Sequence, residues 1–426
     1  MNLGGLSADK APPADAPLVL FYLMPAFMAF AGLVLAWQGD QIMLSRWTPA
    51  ALATTHLLVL GSLAPVMCGA LLQISPVLLG APYRHPRRVA RFTAAGLGIG
   101  SLLLGVGFLL LKPTLLMAGG IMAAVGLGVF LVATFEALTT TAIRRETLWS
   151  IRLAAGALAV TIILGLVLVL ARAGWIDLPK HLNWVNTHAA WGLAGWLGLL
   201  LAAVGMELIP LFYISPPFPI WLKYSFSISI ILSLSLISAL GTHLPIKTQI
   251  LFGSILLAYL LYSAYALHSE HRRQRPRRDA SLWLWQASHA TVFLAFFAWL
   301  FGTSISLIGG LLLTGTLAFV IGSLLKIVPF LCWLDLQQQR IRSQHFDVNL
   351  PRLSALLPTW QAIAIAVTMI LAIAAVSVAA IEASLIHLAG GLLVMCAILL
   401  AIALATAAGA RQAYARDFAS SNSPSD

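Results

Sequence analysis

Two histidines open two long apolar stretches, and both are candidates for holding a metal. His56 lies in PAALATTHLLVLGSLAPVMCGALLQISPVLLGAPY, residues 49–83, and His188 in THAAWGLAGWLGLLLAAVGMELIP, residues 187–210. A neutral imidazole is the commonest ligand for a metal or haem iron, and it tolerates a bilayer far better than a carboxylate does. The competing role for either residue is a hydrogen bond between helices. Equivalent placement in a repeated element favours ligation for the pair. His387 and His243 stand near the same face of the chain and are further candidates. His289 belongs to the other half.

The same stretches end alike. GALLQISP places Gly69, Gln73 and Pro76 at fixed offsets, AVGMELIP places Glu207 and Pro210, and GSLLKIVP places Gly322, Lys326 and Pro329. Each copy puts one polar residue three positions before a proline, and the third copy has no histidine ahead of it. Ionisable groups at membrane depth are costly, which makes Glu207, Lys326 and the polar Gln73 candidates for a proton or ion path. Two other roles stay open: Glu207 pairs with Lys326, or Lys326 snorkels to the interface. Glu136 is a further acid near an interface. The prolines end or kink their helices, and Pro76, ahead of the LLGAPY turn, reads as a helix terminator.

These residues need elements to position them, and the composition says which. Of the 426 residues, 60% are apolar and 9% charged. Apolar runs of about 20 residues recur throughout, each long enough to cross a bilayer as a helix. A spanning helix satisfies its own backbone, and the alternating signature of an outer-membrane barrel is missing. The expectation is an all-α polytopic membrane bundle in contact with the lipid bilayer. Twelve transmembrane helices are predicted, at approximately 17–37, 50–79, 94–111, 114–138, 152–171, 184–213, 220–240, 247–267, 282–301, 304–334, 359–380 and 384–409.

The net charge of +11 sits in short loops between apolar runs, which argues against nucleic acid as a partner. Basic residues concentrate after even-numbered spans, including the run from His271 to Asp279, so both termini are expected in the cytoplasm. Residues 1–16 have no basic region before the first apolar run and read as a short cytoplasmic tail, and 411–426 as a disordered one. The three long spans lie four spans apart. That spacing implies three four-helix pseudo-repeats within 17–410, at about 17–139, 152–268 and 282–410. Thr48 and Pro49 suit the N-cap and first position of the second span, which puts His56 about 10 Å below that end. The three cysteines form no CxxC pair and read as buried hydrophobes. Trp184, Trp191, Trp196, Trp283 and Trp285 read as an interfacial belt. No Walker loop, HExxH or GxSxG motif occurs.

The second span, with a histidine early in the helix and then GALLQISPVLLGAPYRHPR, resembles helix II of the haem–copper oxidase subunit I superfamily. The sixth span is similar to the corresponding helix of the cbb3-type oxidase and nitric oxide reductase branch. The resemblance implies a bacterial cytoplasmic (inner) membrane location and a role in respiratory electron transfer or nitric oxide metabolism. It also implies electron-donor or oxidase partner subunits. The cofactors it implies are a non-covalent, b-type haem, since no CxxCH is present, and copper. By position it carries His56 and His188 over as haem or metal ligands. His387 would substitute for the missing histidine of the tenth span, and His243 is the only histidine near the family's copper site. The chain departs from the family in lacking the tenth-span and paired copper histidines, so a complete oxygen-reducing centre is not expected. It looks akin to the haem- and copper-containing membrane proteins of the nitric oxide response. The alternative is a transporter or oxidase-assembly factor that retained the fold without redox cofactors, using the broken helices with Glu207 and Lys326 as a substrate path.

Overall fold

The computed structural model describes residues 12–139, 145–240, 245–275, 278–344 and 349–420, and among these there are helices and no strands. A short α1 (Asp15–Phe21) leads into α2 (Leu23–Leu44), and α3 (Pro49–His56) and α4 (Ala64–Leu79) flank a π-helical segment, π1 (Leu57–Leu63). Next come α5 (Pro86–Leu109), α6 (Pro113–Thr139) and α7 (Arg145–Arg172). Then α8 (His181–Ala190) and α9 (Leu199–Tyr213) flank π2 (Trp191–Gly198). The chain continues through α10 (Ile220–Leu240), α11 (Pro245–His271), α12 (Ala280–Leu300) and α13 (Ile305–Ser343). A single turn, α14 (Leu353–Leu356), precedes α15 (Thr359–Val378) and α16 (Leu385–Ser420).

Eleven of these helical stretches, counting α1–α2, α3–π1–α4 and α8–π2–α9 as one each, are long and apolar enough to cross a membrane. The protein is a multi-pass helical membrane protein. The expected ninth span is the helix α12, which falls outside that set because Gln286, Ser288 and His289 dilute its apolar residues. Helix starts follow the sequence. Thr48, Asp279 and Ser304 each accept an N–H from the residue three positions on, at 3.2, 3.0 and 3.3 Å, as N-cap side chains do.

Small residues decide how closely the helices pack, as expected where apolar side chains gain little by leaving lipid for protein. A side chain on Gly96 of α5 would meet the backbone of Gly126 on α6 at 2.6 Å, and one on Gly100 the backbone of Ala123. Likewise Gly32 of α2 lies against the Gly390 carbonyl of α16, so an early helix packs on the last one. Two expectations are corrected here. Trp196 and Trp285 lie in the core, at 2% and 0% exposure, rather than in an interfacial belt. Pro76 does not terminate its helix: like Pro210 and Pro329, it stands inside one. What ends α4 is Gly80, in the left-handed conformation a glycine adopts without strain. The last helix runs on to Ser420, past the boundary at 410, and Arg411 bonds Asp335 at 2.8 Å on the way.

Candidate functional site

Each of the two histidines precedes a π-helical segment. In α3–π1–α4 the seven π residues begin directly after His56, and in α8–π2–α9 the eight begin three residues after His188. Such wide turns are rare and occur mostly at functional sites. The Ser62 hydroxyl bonds the carbonyl of Leu57, five residues back. In π2 the Tyr259 hydroxyl donates to the Ala194 carbonyl at 2.8 Å. The third long helix, α13, has no histidine in the equivalent region and runs 39 residues without a π segment.

The two imidazoles meet. Their ring centroids are 6.5 Å apart and their planes are within 12° of parallel. His56 bonds through Nδ1 to the Leu52 carbonyl at 2.8 Å, and His188 through Nδ1 to the Thr161 carbonyl at 3.1 Å. A carbonyl can only accept, so each Nδ1 carries the proton and each neutral ring offers its Nε2 lone pair. Holding the far nitrogen in this way is how proteins orient metal-ligating histidines. Phe108 supports His56 from 4.9 Å. Gly165 makes room for His188, since a Cβ there would lie 3.1 Å from the imidazole Cε1.

Both rings line a cavity of about 240 Å³ between α3, α5, α6, α7 and α8. Its wall is almost entirely Leu, Val, Ile, Ala and Gly, with Phe108 and Trp196. The exceptions besides the two ligand candidates are Thr55, Thr161, His181 and Arg172. His181 opens α8 and the exposed Arg172 closes α7, so both stand where the helices meet the loop between them. The cavity is thus apolar, with two imidazoles in its wall and a cation among its lining residues. Two imidazoles bound to one metal through Nε2 at about 2.0 Å each would have centroids on the order of 6 Å apart, close to what is seen. Among the described residues no group of three His, Cys, Asp or Glu is placed to hold a bare metal ion.

The other candidates go elsewhere. His387 is committed to α2, with Nδ1 on the Ala36 carbonyl at 2.8 Å and Nε2 3.2 Å from Asp40. Both its ring nitrogens are engaged, and it does not line the cavity. His243 lies outside the described residues. Gln73 is buried on α4 with its amide oxygen unpartnered among the described residues. Glu207 does not pair with Lys326. It accepts from Lys223 Nζ at 2.7 Å and from the Thr147 hydroxyl at 2.6 Å, and Glu146 approaches Lys223 at 3.8 Å. A carboxylate so neutralised by an ammonium and a hydroxyl belongs to the packing of α7, α9 and α10. Lys326 pairs with Asp279 at 2.5 Å and lies over the Tyr213 ring at 4.7 Å. Glu136 makes an exposed 3.7 Å pair with Arg84.

Fold and site together define a multi-pass helical membrane protein with a two-histidine apolar cavity. No family model matches the chain, and no curated protein matches it.

Proposed function

We propose that this protein is a haem-binding membrane protein in which His56 and His188 would hold one haem. The observation that carries this is the pair of near-parallel imidazoles lining one apolar cavity, each with its Nδ1 bonded to a carbonyl. When bound, such a group supplies one-electron transfer, or gas binding where one axial position opens. The chain's own part is to orient and to exclude water. Leu52 and Thr161 fix the tautomers, Gly165 admits the His188 ring, the aliphatic wall keeps water out, and Arg172 is placed to meet an acidic substituent at the cavity's lip.

The same reading takes α12 as a twelfth membrane helix and the chain as three four-helix units, with both termini on the cytoplasmic side of a bacterial inner membrane. What supports it is the paired α–π–α construction at His56 and His188 and the packing of α2 on α16. The likeness to haem–copper oxidase subunit I supports a place in respiratory electron transfer or nitric oxide metabolism. Copper, as a two-coordinate ion between the same nitrogens, is the runner-up. The test is cofactor stoichiometry in protein purified from haem-replete cells. About one haem per chain, lost in His56→Ala and in His188→Ala, is expected. A colourless, metal-free protein overturns the proposal, and copper without haem replaces it with the runner-up.

A further inference from the structure

The largest concentration of unpartnered buried polar atoms lies away from the cavity, where α11 and α12 meet α9 and α13. Glu270 is one residue from the end of α11, yet it is 0% exposed. The segment 214–219 roofs it. The Ser269 hydroxyl donates to the Pro216 carbonyl at 2.9 Å, Ser215 and Ser269 share a hydroxyl contact, and Gln274 N–H bonds the Ile214 carbonyl. Ile214 turns the chain into this roof with φ at +50°, a conformation that costs a β-branched residue energy. Beneath the roof neither Glu270 oxygen accepts a hydrogen bond among the described residues. His289 of α12 is 2% exposed, and its Nε2 lies 3.6 Å from Glu270 Oε1, likewise without a hydrogen bond.

Other groups face the pair. On α11 the hydroxyls of Tyr262 and Ser263 are buried and unpartnered. Tyr262 stands edge-on to the His289 ring at 5.8 Å, and its hydroxyl fills the space a side chain at Gly205 of α9 would need. Arg273 donates from its guanidinium to the Glu270 carbonyl at 3.0 Å, leaving its Nε unpartnered. From α9, Tyr213 is close enough to interact with both Glu270 and Arg273. From α13 the Phe319 ring stands 6.1 Å from the His289 ring. A bare carboxylate with no donors is not stable at such burial. The guanidinium of Arg273 brings a positive charge to the place, which disfavours a metal cation.

We propose that Glu270 and His289 form a buried proton-binding site, holding one exchangeable proton between them. Carried on the carboxyl, the proton is donated to His289 Nε2; carried on the imidazole, it is donated to Oε1. The composition is the same in both forms. A closure of several tenths of an ångström, or one water touching both atoms, completes the bond. The row from Glu270 to Tyr262 continues inward for about 12 Å along one side of α11. A purely structural pair would show formed bonds. Here the groups are close, sealed from water and unbonded, as a site that changes its proton occupancy requires.

Infrared difference spectra of the full-length protein between mildly acid and mildly alkaline buffer, in light and heavy water, test this. The wild type should show a titrating carboxyl C=O band, shifted in heavy water and lost in Glu270→Gln, while Glu136→Gln leaves it intact. In His289→Gln, which keeps the carboxyl, its midpoint should move by about one pH unit or more. Coincident spectra of wild type and Glu270→Gln overturn the proposal. If Glu270→Gln does not fold, an unmoved band in His289→Gln overturns it equally.

Discussion

His56 and His188 face each other with ring centroids 6.5 Å apart and planes within 12° of parallel, although they stand in different helices. Each is tied down at Nδ1 by a backbone carbonyl, and each precedes a π-helical segment. A hydrogen bond between helices, the simpler role for either residue, is made by His188 Nδ1 and leaves Nε2 over. His56 spends its Nδ1 within its own helix. The pair therefore keeps two lone pairs in an apolar cavity, which costs energy unless something binds them.

Gly165 sets the position of one ligand. Gly165→Val on α7 should push the His188 imidazole off its bond to Thr161 and weaken haem retention by about 10–100-fold. Gly156→Val, on the same helix with open space beyond it, should leave retention unchanged. Haem content after exhaustive washing with a haem scavenger reads the difference.

His387 has no nitrogen to spare. His387→Ala should lower the thermal midpoint by loosening α16 from α2, because it deletes the bonds to Ala36 and Asp40. Cofactor content per folded protein should stay at the wild-type value. A loss of cofactor in that variant would reinstate it as a ligand.

Lys223 and Glu207 are buried together at 2.7 Å. Lys223→Met removes the ammonium from this buried carboxylate and should destabilise the protein by about 3–5 kcal/mol. The double variant with Glu207→Gln should recover most of that loss, which a double-mutant cycle of unfolding midpoints would measure. If the two single losses simply add, the pair is not coupled.

Asp279 carries a pH dependence outside the membrane-spanning segments. Burial alone would raise its carboxyl, but the charge and hydrogen bond of Lys326, with bonds from the Tyr213 hydroxyl and the Leu282 N–H, hold it below the ordinary value. A depressed acid stabilises the fold above its unfolded pKa, and that stabilisation fades as pH falls through the folded value. Stability of the wild type should therefore decline on acidification below about pH 4. Asp279→Asn should be less stable at neutral pH and show a flatter acid limb in thermal unfolding across that range.

The sequence carried the helical architecture and the two histidines, because apolar runs and a repeated motif are local patterns. Thr48, for example, caps its helix as its type and place predict. Partnerships across the fold were not legible. Glu207 and Lys326 share a position in their motifs, yet each turns to a charge outside its own helix, Lys223 on α10 and Asp279 at the cap of α12. His387 finds Asp40 from the far end of the chain. Glu270 sits beside a basic run and resembles a loop residue in one dimension; the fold buries it beside His289 of α12. Pro76 misled because an interior proline and a terminator look alike until the next helical turn is seen.

The central claim is that both histidines bind one iron, and the reduced-minus-oxidised optical spectrum, taken with and without carbon monoxide, tests it most directly. The account predicts a six-coordinate low-spin spectrum that carbon monoxide leaves unchanged in the wild type. It predicts a carbon monoxide-reactive spectrum in His56→Ala and in His188→Ala alike. A wild-type spectrum that already responds to carbon monoxide, or a low-spin spectrum that survives loss of either histidine, would contradict it.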